Sequence, residues 1–211
     1  FGDLTVVRIT AGSASNSTRG LFAGGNTSGT GARNIIDYIT IATEGNATDF
    51  GDLTQARDRL AGLASTTRAV FGGGLLSAVD RRTIDYVTIA STGNAVSFGN
   101  LTTGTYSLAA CSSATRGLFA GGQDDTGTQF NTIEYITIAS TGDATDFGDL
   151  LFTTYVLAGT SSSTRGIFGG GIDDSGSGPL NVISYVTIAS TGNASDFGDI
   201  LGTTYQLGAC S

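Results

Sequence analysis

The stretch that decides the fold reads Ile84-Asp85-Tyr86-Val87-Thr88-Ile89-Ala90-Ser91-Thr92-Gly93-Asn94-Ala95-Val96-Ser97-Phe98-Gly99-Asn100-Leu101. β-Branched and aromatic residues over 86–90 are typical of a β-strand, and a Gly-Asn dipeptide is typical of a tight hairpin turn. The stretch therefore predicts two antiparallel strands joined at Gly93-Asn94. Nearly the same wording occurs three more times, with turns expected at Gly45-Asn46, Gly142-Asp143 and Gly192-Asn193.

The phrase Phe-Gly-Asp/Asn-Leu/Ile sets the length of the repeat. It begins at Phe1, Phe50, Phe98, Phe147 and Phe197, so successive copies are 49, 48, 49 and 50 residues apart. Each repeat also holds a strand of small residues, an apolar strand that ends in glycines, and the aromatic strand. A period near 50 residues with four strands per unit indicates the blades of a β-propeller.

We therefore expect an all-β protein, a β-propeller of four-stranded blades. Residues 1–211 are expected to form a single propeller or a segment of one. The repeats run at about 1–49, 50–97, 98–146 and 147–196, and a partial repeat covers 197–211.

The pattern resembles the kelch repeat over the whole chain. A glycine doublet follows the apolar strand, an aromatic residue lies in the third strand, and another aromatic precedes the next blade, where kelch repeats usually have tryptophan and this chain has phenylalanine. The doublets are Gly24-Gly25, Gly73-Gly74, Gly121-Gly122 and Gly170-Gly171, and the third-strand aromatics are Tyr38, Tyr86, Tyr135 and Tyr185. The wording Ile-Ala-Ser-Thr-Gly-Asn-Ala is also similar to kelch-like repeats in structural proteins of marine tailed phages. That resemblance implies a tail or fibre-type protein.

Composition limits the classes of partner. The chain is 39% hydrophobic, has 33 glycines and one proline, and carries a formal charge of −8. A net negative chain without lysine repels nucleic-acid phosphates, so nucleic acid is not an expected partner. No apolar run approaches the roughly 18 residues that cross a bilayer, so membrane insertion is not expected. Cys111 and Cys210 occupy the same place in two non-neighbouring repeats, which predicts free, buried thiols rather than a disulfide.

The loops after the glycine doublets are the part of the repeat that varies freely, at 26–34, 75–83, 123–131 and 172–181. Variation on a constant scaffold is where recognition usually lies. The candidate ligand-binding residues are Asn26, Arg33, Arg81, Gln123, Asp124, Asp125, Asp173 and Asp174. The aspartates Asp124, Asp125, Asp173 and Asp174 could also hold calcium, which prefers carboxylate oxygens. The alternative is that they form solvated acidic loops, since no full calcium-loop spacing accompanies them.

Other residues recur once per repeat. The acidic or amide positions Asp3, Asp52, Asn100, Asp149 and Asp199 and the basic positions Arg19, Arg68, Arg116 and Arg165 could form a ring of charges for a ligand. The alternative is turn bonding and ion pairs between blades that fix the register. Tyr38 and its equivalents are expected in the core, whereas Tyr106, Tyr155 and Tyr205 could line a channel mouth.

Enzymatic functions are poorly supported. The chain has no histidine, so it has no imidazole base, no Ser-His or Cys-His pair and no expected zinc or copper site. Paired carboxylates of a glycoside hydrolase remain a distant alternative, but the only glutamates, Glu44 and Glu134, fall in scaffold positions. No cofactor is predicted apart from the calcium hypothesis.

The ends of the sequence carry one strand pair more than four blades need. Residues 1–15 and 197–211 both encode the Phe-Gly strand and the following small-residue strand. We expect either self-association or a larger parent chain that supplies the missing strands. The sequence favours a non-enzymatic structural or adhesion module of a virion or cell surface, with other virion or surface proteins as partners and a host-surface glycan as ligand. The alternative is a cellular kelch-type scaffold for protein–protein interaction.

Overall fold

A computed structural model describes residues 2–173 and 178–208. Within those ranges the chain is all-β and contains no helix. Four antiparallel four-stranded sheets follow one another along the sequence, here named sheets I to IV. The prediction of an all-β chain with four strands per repeat is confirmed.

Sheets I and II contain the following strands, each sheet with a short hairpin between its second and third long strands. Sheet I has β1 (Gly12–Ser15), β2 (Arg19–Ala23), the hairpin β3 (Asn26–Thr27) and β4 (Gly31–Ala32), β5 (Ile35–Thr40) and β6 (Thr48–Asp52). Sheet II has β7 (Ala61–Ala64), β8 (Arg68–Gly72), the hairpin β9 (Leu75–Leu76) and β10 (Val79–Asp80), β11 (Thr83–Thr88) and β12 (Val96–Asn100).

Sheets III and IV repeat the arrangement. Sheet III has β13 (Ala109–Ser112), β14 (Arg116–Ala120), β15 (Thr132–Thr137) and β16 (Thr145–Asp149). Sheet IV has β17 (Ala158–Ser161), β18 (Arg165–Gly169), the hairpin β19 (Ile172–Asp173) and β20 (Gly178–Pro179), β21 (Val182–Thr187) and β22 (Ser195–Asp199). Each sheet begins at the small-residue strand and ends with the Phe-Gly phrase, so the sheets are offset from repeats counted from Phe1.

Three hydrophobic cores lie between consecutive sheets, and we call these interfaces seams. Phe50 of sheet I packs with Phe71 and Ile89 of sheet II, and the same positions meet at the other two seams. Apolar residues therefore cover both faces of the inner sheets, which explains why their strands read as continuous apolar runs rather than alternating ones. Burial in the seams is the main stabilising contribution to this fold.

The first strands of consecutive sheets lie side by side, β1 next to β7, β7 next to β13 and β13 next to β17. Small residues allow this approach, because a Cβ atom at Gly159 would stand 2.6 Å from the carbonyl oxygen of Ala110. Serines then link the strands: the Ser112 hydroxyl donates to the carbonyl of Ala64 at 2.7 Å, and the Ser161 hydroxyl donates to the carbonyl of Ser112 at 2.7 Å.

The predicted turn at Gly93-Asn94 is misplaced. The turn after β11 spans Thr88 to Ser91, where the amide of Ser91 donates to the carbonyl of Thr88. The following segment extends along the outer strand of sheet I, and the Asn94 side chain accepts a hydrogen bond from the amide of Asp52 at 3.0 Å. The same bond joins Asp3 to Asn46, Asn100 to Asp143 and Asp149 to Asn193. The repeated Gly-Asn/Asp pair therefore serves the contact with the preceding outer strand.

This contact also explains the glycine of the Phe-Gly phrase. Gly51 has a φ of 143°, and a Cβ atom there would stand 2.5 Å from the carbonyl of Gly93. Only glycine lets the outer strand and the next sheet's connection approach this closely.

One arginine, one tyrosine and one phenylalanine stack at the outer part of each sheet. In sheet II the guanidinium of Arg68 lies 4.5 Å from the centre of the Tyr86 ring, and that ring meets Phe98 edge to face at 5.9 Å. The guanidinium also donates to the carbonyl of Ile138 in sheet III at 2.9 Å. Arg19, Arg68 and Arg116 thus fix the register between sheets through a backbone carbonyl, not through the ion pairs between blades that the sequence suggested as an alternative.

Candidate recognition surface

The four variable loops are attached to the sheets in the same way. Each begins after a glycine doublet whose φ angles are positive, for example 64° at Gly24 and 98° at Gly25. Its first residue then pairs with the segment that leads into the first strand of the same sheet. These bridges join Ile9 to Asn26, Asp58 to Leu75, Tyr106 to Gln123 and Tyr155 to Ile172. The loops therefore lie at one end of the sheets.

A second set of hydrogen bonds joins these leading segments to one another. The amide of Arg59 donates to the carbonyl of Thr10 at 2.9 Å, that of Ser107 to Arg59, that of Val156 to Ser107, and that of Gln206 to Val156. All five residues have φ between 50° and 57°. A non-glycine residue in this region is uncommon, and five in one ladder show that the surrounding contacts impose the conformation. This ladder of backbone hydrogen bonds therefore holds the segments to which the loops are paired.

In loop 26–34 the candidate residues Asn26 and Arg33 have structural partners. Asn26 exchanges both backbone hydrogen bonds with Ile9, at 2.9 and 3.0 Å. The Arg33 guanidinium donates to the Thr27 and Thr30 hydroxyls at 3.2 and 2.6 Å. Arg33 thereby closes its own hairpin, and its side chain is half-buried.

In loop 75–83 the candidate Arg81 is half-buried, and its Nε atom is enclosed without a hydrogen-bond partner in the described chain. Its neighbour Asp80 was not selected from the sequence. Desolvation raises the pKa of Asp80, and the carboxylates of Asp125 and Asp124 in the next loop act in the same direction. Loops 75–83 and 123–131 are therefore close enough to interact electrostatically.

In loop 123–131 the candidate Gln123 donates from its side-chain amide to the Tyr106 hydroxyl at 2.7 Å. The guanidinium of Arg59 lies 5.5 Å from the centre of the Tyr106 ring. An amide, an aromatic ring and a guanidinium thus meet beside the loop. The sequence suggests that Tyr106 could line a channel mouth, but no periodicity in it indicates the contact between Tyr106 and Gln123.

Asp125 is exposed, whereas Asp124 is half-buried and is bound within its own loop. Its Oδ1 accepts from the Thr126 amide and hydroxyl at 3.0 and 2.7 Å and from the Thr128 amide at 2.8 Å. Desolvation alone would raise the pKa of Asp124, but the hydrogen bonds from Thr126 and Thr128 together outweigh it and lower that pKa. The carboxylate therefore organises the turn.

The remaining candidates lie in loop 172–181. Asp173 is buried in β19 and Asp174 lies outside the described residues. Among the residues that the structure covers, no group of three or more Asp, Glu, Cys or His side chains is positioned to hold a metal ion. The geometry of Asp124, Asp125 and Asp173 therefore gives the calcium hypothesis no support.

Glu44, Glu134 and Cys111 do not form a common site. Glu44 is exposed, whereas Glu134 is buried in sheet III and accepts from the Thr102 amide at 2.8 Å. Burial raises the pKa of the Cys111 thiol to about 12, so this group is not a thiolate at neutral pH. Cys210 lies outside the described ranges.

A cavity of about 690 Å³ is lined by residues at the first strands of all four sheets. Its wall consists mostly of serine, alanine and glycine, including Ser13, Ser112 and Ser161. The described part of the chain holds no helix long and apolar enough to span a membrane. Comparison with known proteins finds no matching family model and no significantly similar curated protein.

Proposed function

We propose that the chain is a non-enzymatic β-propeller, or a segment of one, with kelch-like blades and a recognition surface made by the four variable loops. The observation that carries the proposal is the contrast between the constant attachment of these loops and their variable sequence. Identical bridges hold the four loops at one end, while their side chains differ from sheet to sheet. A scaffold that presents different groups at equivalent positions is suited to binding rather than to catalysis.

The arrangement of the sheets supports the propeller. Their first strands lie next to one another and share one cavity, and the seams between sheets are lined by apolar residues. In a propeller the first strand of each blade lines the central channel in this way. The small side chains of these strands permit the close approach.

The chemistry of the loop end supports a glycan as the ligand. Carbohydrates are bound by planar hydrogen-bonding groups and by aromatic rings, and loop 123–131 supplies Gln123 next to Tyr106 and Arg59. The net charge of −8 disfavours polyanions. We propose a host-surface glycan as the ligand. The proposed setting is a virion, of phage tail or fibre type, or a cell surface, with other virion or surface proteins as partners.

The test exchanges residues 123–131 for a Gly/Ser linker and measures glycan-array binding together with thermal unfolding. Binding should be lost while the melting temperature changes by only a few degrees, because a linker of similar length leaves the closure entropy of the loop nearly unchanged. The matched control is Thr141→Ala, a substitution of an exposed residue in the connection between β15 and β16 of the same sheet. Unchanged binding of the loop variant would remove this loop from the proposed site, and absence of binding by the unaltered protein would contradict the glycan.

A further inference from the structure

The buried guanidinium of sheet II shows what this position of a sheet binds. Arg57 lies 2.8 Å from a carboxylate oxygen of Asp85 and donates to the carbonyl of Phe71 at 3.1 Å. Thr54 holds the same carboxylate in place through its amide and its hydroxyl. The position therefore offers one negative charge and one carbonyl oxygen to a positively charged donor.

Sheet III keeps the carboxyl group of this arrangement without the arginine. Glu134 is in register with Phe119, as the corresponding acidic residue and phenylalanine of sheet II are. The Oε1 atom of Glu134 accepts from the amide and the hydroxyl of Thr102. Thr105 stands where sheet II has Arg57. The anchored carboxyl group is therefore retained, whereas its positive partner is not.

A cavity of about 20 Å³ lies where the arginine side chain would be. Glu134 and Thr105 line it together with the rings of Phe119 and Phe130. Glu134 is 7% exposed, and its Oε2 atom has no hydrogen-bond donor among the described residues. Thr103 also lines the cavity and is exposed, so the cavity opens to the surface there. A buried carboxyl oxygen without a donor thus faces a space that a small group can enter.

The charges around Glu134 do not neutralise it. Burial raises the pKa of Glu134, and the charge of Asp146 acts in the same direction. Hydrogen bonds from Thr102 and the charge of Arg82 oppose this change without reversing it. The Nε atom of Arg82 donates to the carbonyl of Leu101 at 2.8 Å. Because a buried carboxylate is costly without a cation in contact, a cation that reaches Glu134 is bound favourably.

We propose that the cavity of sheet III binds a primary ammonium group in the place that the Arg57 guanidinium has in sheet II. An ammonium group brings the positive charge and three N–H donors, and Glu134 accepts from it as Asp85 accepts from Arg57. The group is about as large as a water molecule, which a cavity of this volume holds. A guanidinium is larger, and Glu134 is one methylene longer than Asp85. The 211 residues include no lysine, so the source is a small amine or the lysine of a partner.

The first experiment follows the two glutamates by NMR after carboxyl-¹³C labelling. The protein is titrated with n-butylammonium chloride and, at equal ionic strength, with tetramethylammonium chloride, which has the charge but no N–H donor. At about ten times the dissociation constant, n-butylammonium should lower the proton affinity of Glu134 about tenfold, because proton and cation compete for the same carboxyl group. The exposed Glu44 is the internal control and should not respond specifically. An unchanged Glu134 signal, or an equal effect of the two salts, would overturn the inference.

Three variants test the geometry, with circular dichroism as the check on folding. Thr105→Arg fills the cavity as in sheet II and should abolish the response of Glu134. Glu134→Gln keeps the shape and removes the charge, so n-butylammonium should no longer raise the melting temperature. Thr154→Val alters the equivalent threonine of sheet IV and should leave the response of Glu134 unchanged. A response that survives Thr105→Arg, or stabilisation that survives Glu134→Gln, would contradict the proposal.

A last comparison identifies the source of the ammonium group. A lysine-containing peptide and its acetyl-lysine counterpart are titrated in the same way as n-butylammonium. Tighter binding of the lysine peptide than of n-butylammonium would indicate a partner protein, and binding of n-butylammonium alone would indicate a small amine. Binding of the acetyl-lysine peptide equal to that of the lysine peptide would overturn the inference. The inference does not depend on the proposed glycan binding, since its charged acceptor lies in β15.

Discussion

Sheets I and II bury an ion pair at a place where sheets III and IV have none. Arg8 lies 2.9 Å from Asp37 and Arg57 lies 2.8 Å from Asp85, and all four side chains are fully buried. Thr105 and Glu134 occupy the equivalent positions in sheet III, and Thr154 and Ser184 occupy them in sheet IV. The four sheets nevertheless keep the same strand order and register.

The comparison shows which side chains the fold accepts at this buried position. In sheet II the guanidinium of Arg57 also donates to the carbonyl of Phe71 at 3.1 Å, and Thr54 donates to Asp85 from its amide and its hydroxyl. When the arginine becomes threonine, small cavities of about 20 Å³ in sheet III and about 10 Å³ in sheet IV remain beside Thr105 and Thr154. The fold therefore accommodates the ion pair in sheets I and II, the absence of both charges in sheet IV, and a buried carboxyl without the arginine in sheet III, where Glu134 accepts a hydrogen bond from the Thr102 amide. An arginine left without its carboxylate should be the costly case, because a guanidinium does not lose its proton as a carboxylate gains one, and a buried charge without a partner is strongly unfavourable.

The largest effect is expected from Asp85→Asn, which leaves the Arg57 charge buried without its counter-ion. Burial already lowers the pKa of Arg57 against the opposing influence of Asp85, so the loss of that carboxylate is not compensated by solvent. The free energy of unfolding should fall by about 3–5 kcal/mol. Chemical denaturation measures it, with Ser184→Ala at the equivalent place in sheet IV as the control, and a loss under about 1 kcal/mol would show that the pair is not isolated from water.

A smaller effect is expected when both charges are removed together. Arg57→Met combined with Asp85→Val keeps the volume approximately and leaves no buried charge. The double variant should unfold within about 2 kcal/mol of the unaltered protein, because apolar replacements of buried ion pairs are often neutral. The double-mutant cycle with both single variants gives the coupling. A double variant as unstable as Asp85→Asn would mean that the lost hydrogen bonds to Thr54 and to the Phe71 carbonyl, and not the unpaired charge, cause the loss of stability.

The third prediction concerns the pH dependence of sheet III, where a buried carboxyl has no arginine in contact. Burial raises the pKa of Glu134, opposed by hydrogen bonds from Thr102 and the charge of Arg82 and supported by Asp146. The folded protein therefore binds this proton more tightly than the unfolded chain does. The contribution of Glu134 to the free energy of unfolding should rise as the pH falls through the folded-state pKa and should level off below the ordinary value of 4.5.

The measurement compares the unaltered protein with Glu134→Gln by denaturation across the range from neutral to acidic pH. The stability difference should shift in favour of the unaltered protein on acidification. Thr105→Arg, which copies Arg57 into sheet III, should weaken or reverse that trend, because a neighbouring cation stabilises the carboxylate. A pH-independent difference would contradict the raised pKa.

The sequence predicted the order of strands within each sheet because strand residues such as Tyr86 and Phe98 recur with the repeat. It misplaced the turn at Gly93-Asn94 because a repeated residue can serve its own strand connection or a neighbouring sheet. The side chain of Asn94 binds the amide of Asp52, and that contact joins two different sheets. Periodicity shows that a residue recurs in every repeat, but it does not show whether the contact of that residue lies within its own sheet or with the neighbouring sheet.

The position of the variable loops could be inferred from the sequence, whereas the hydrogen-bond partners of their side chains could not, and the role of these loops in binding stays a prediction. The loops were found from their variation, and the structure places them at one end. The role of Asp124 was missed, although a threonine two residues later is typical of an aspartate that bonds its own loop. The buried pairs were also missed, even though Arg8 and Arg57 recur at the repeat spacing together with Asp37 and Asp85. Charge pairing across 28 or more residues becomes visible only when the strands are aligned.

The smallest expected effect tests the neutral arrangement of sheet IV. The Thr154 hydroxyl is buried and has no hydrogen-bond partner among the described residues. A buried hydroxyl without a partner is costly, so Thr154→Val should raise the free energy of unfolding by about 0.5–1 kcal/mol. Thr102→Val in sheet III is the comparison at a threonine whose hydroxyl has a partner, and it should lower the free energy of unfolding, because that hydroxyl donates to Glu134. The adjoining cavity of about 10 Å³ is at the lower limit for one water molecule. A loss of stability in Thr154→Val would therefore mean that a water joins Thr154 to Ser184, and that sheet IV keeps a polar network in place of the ion pair.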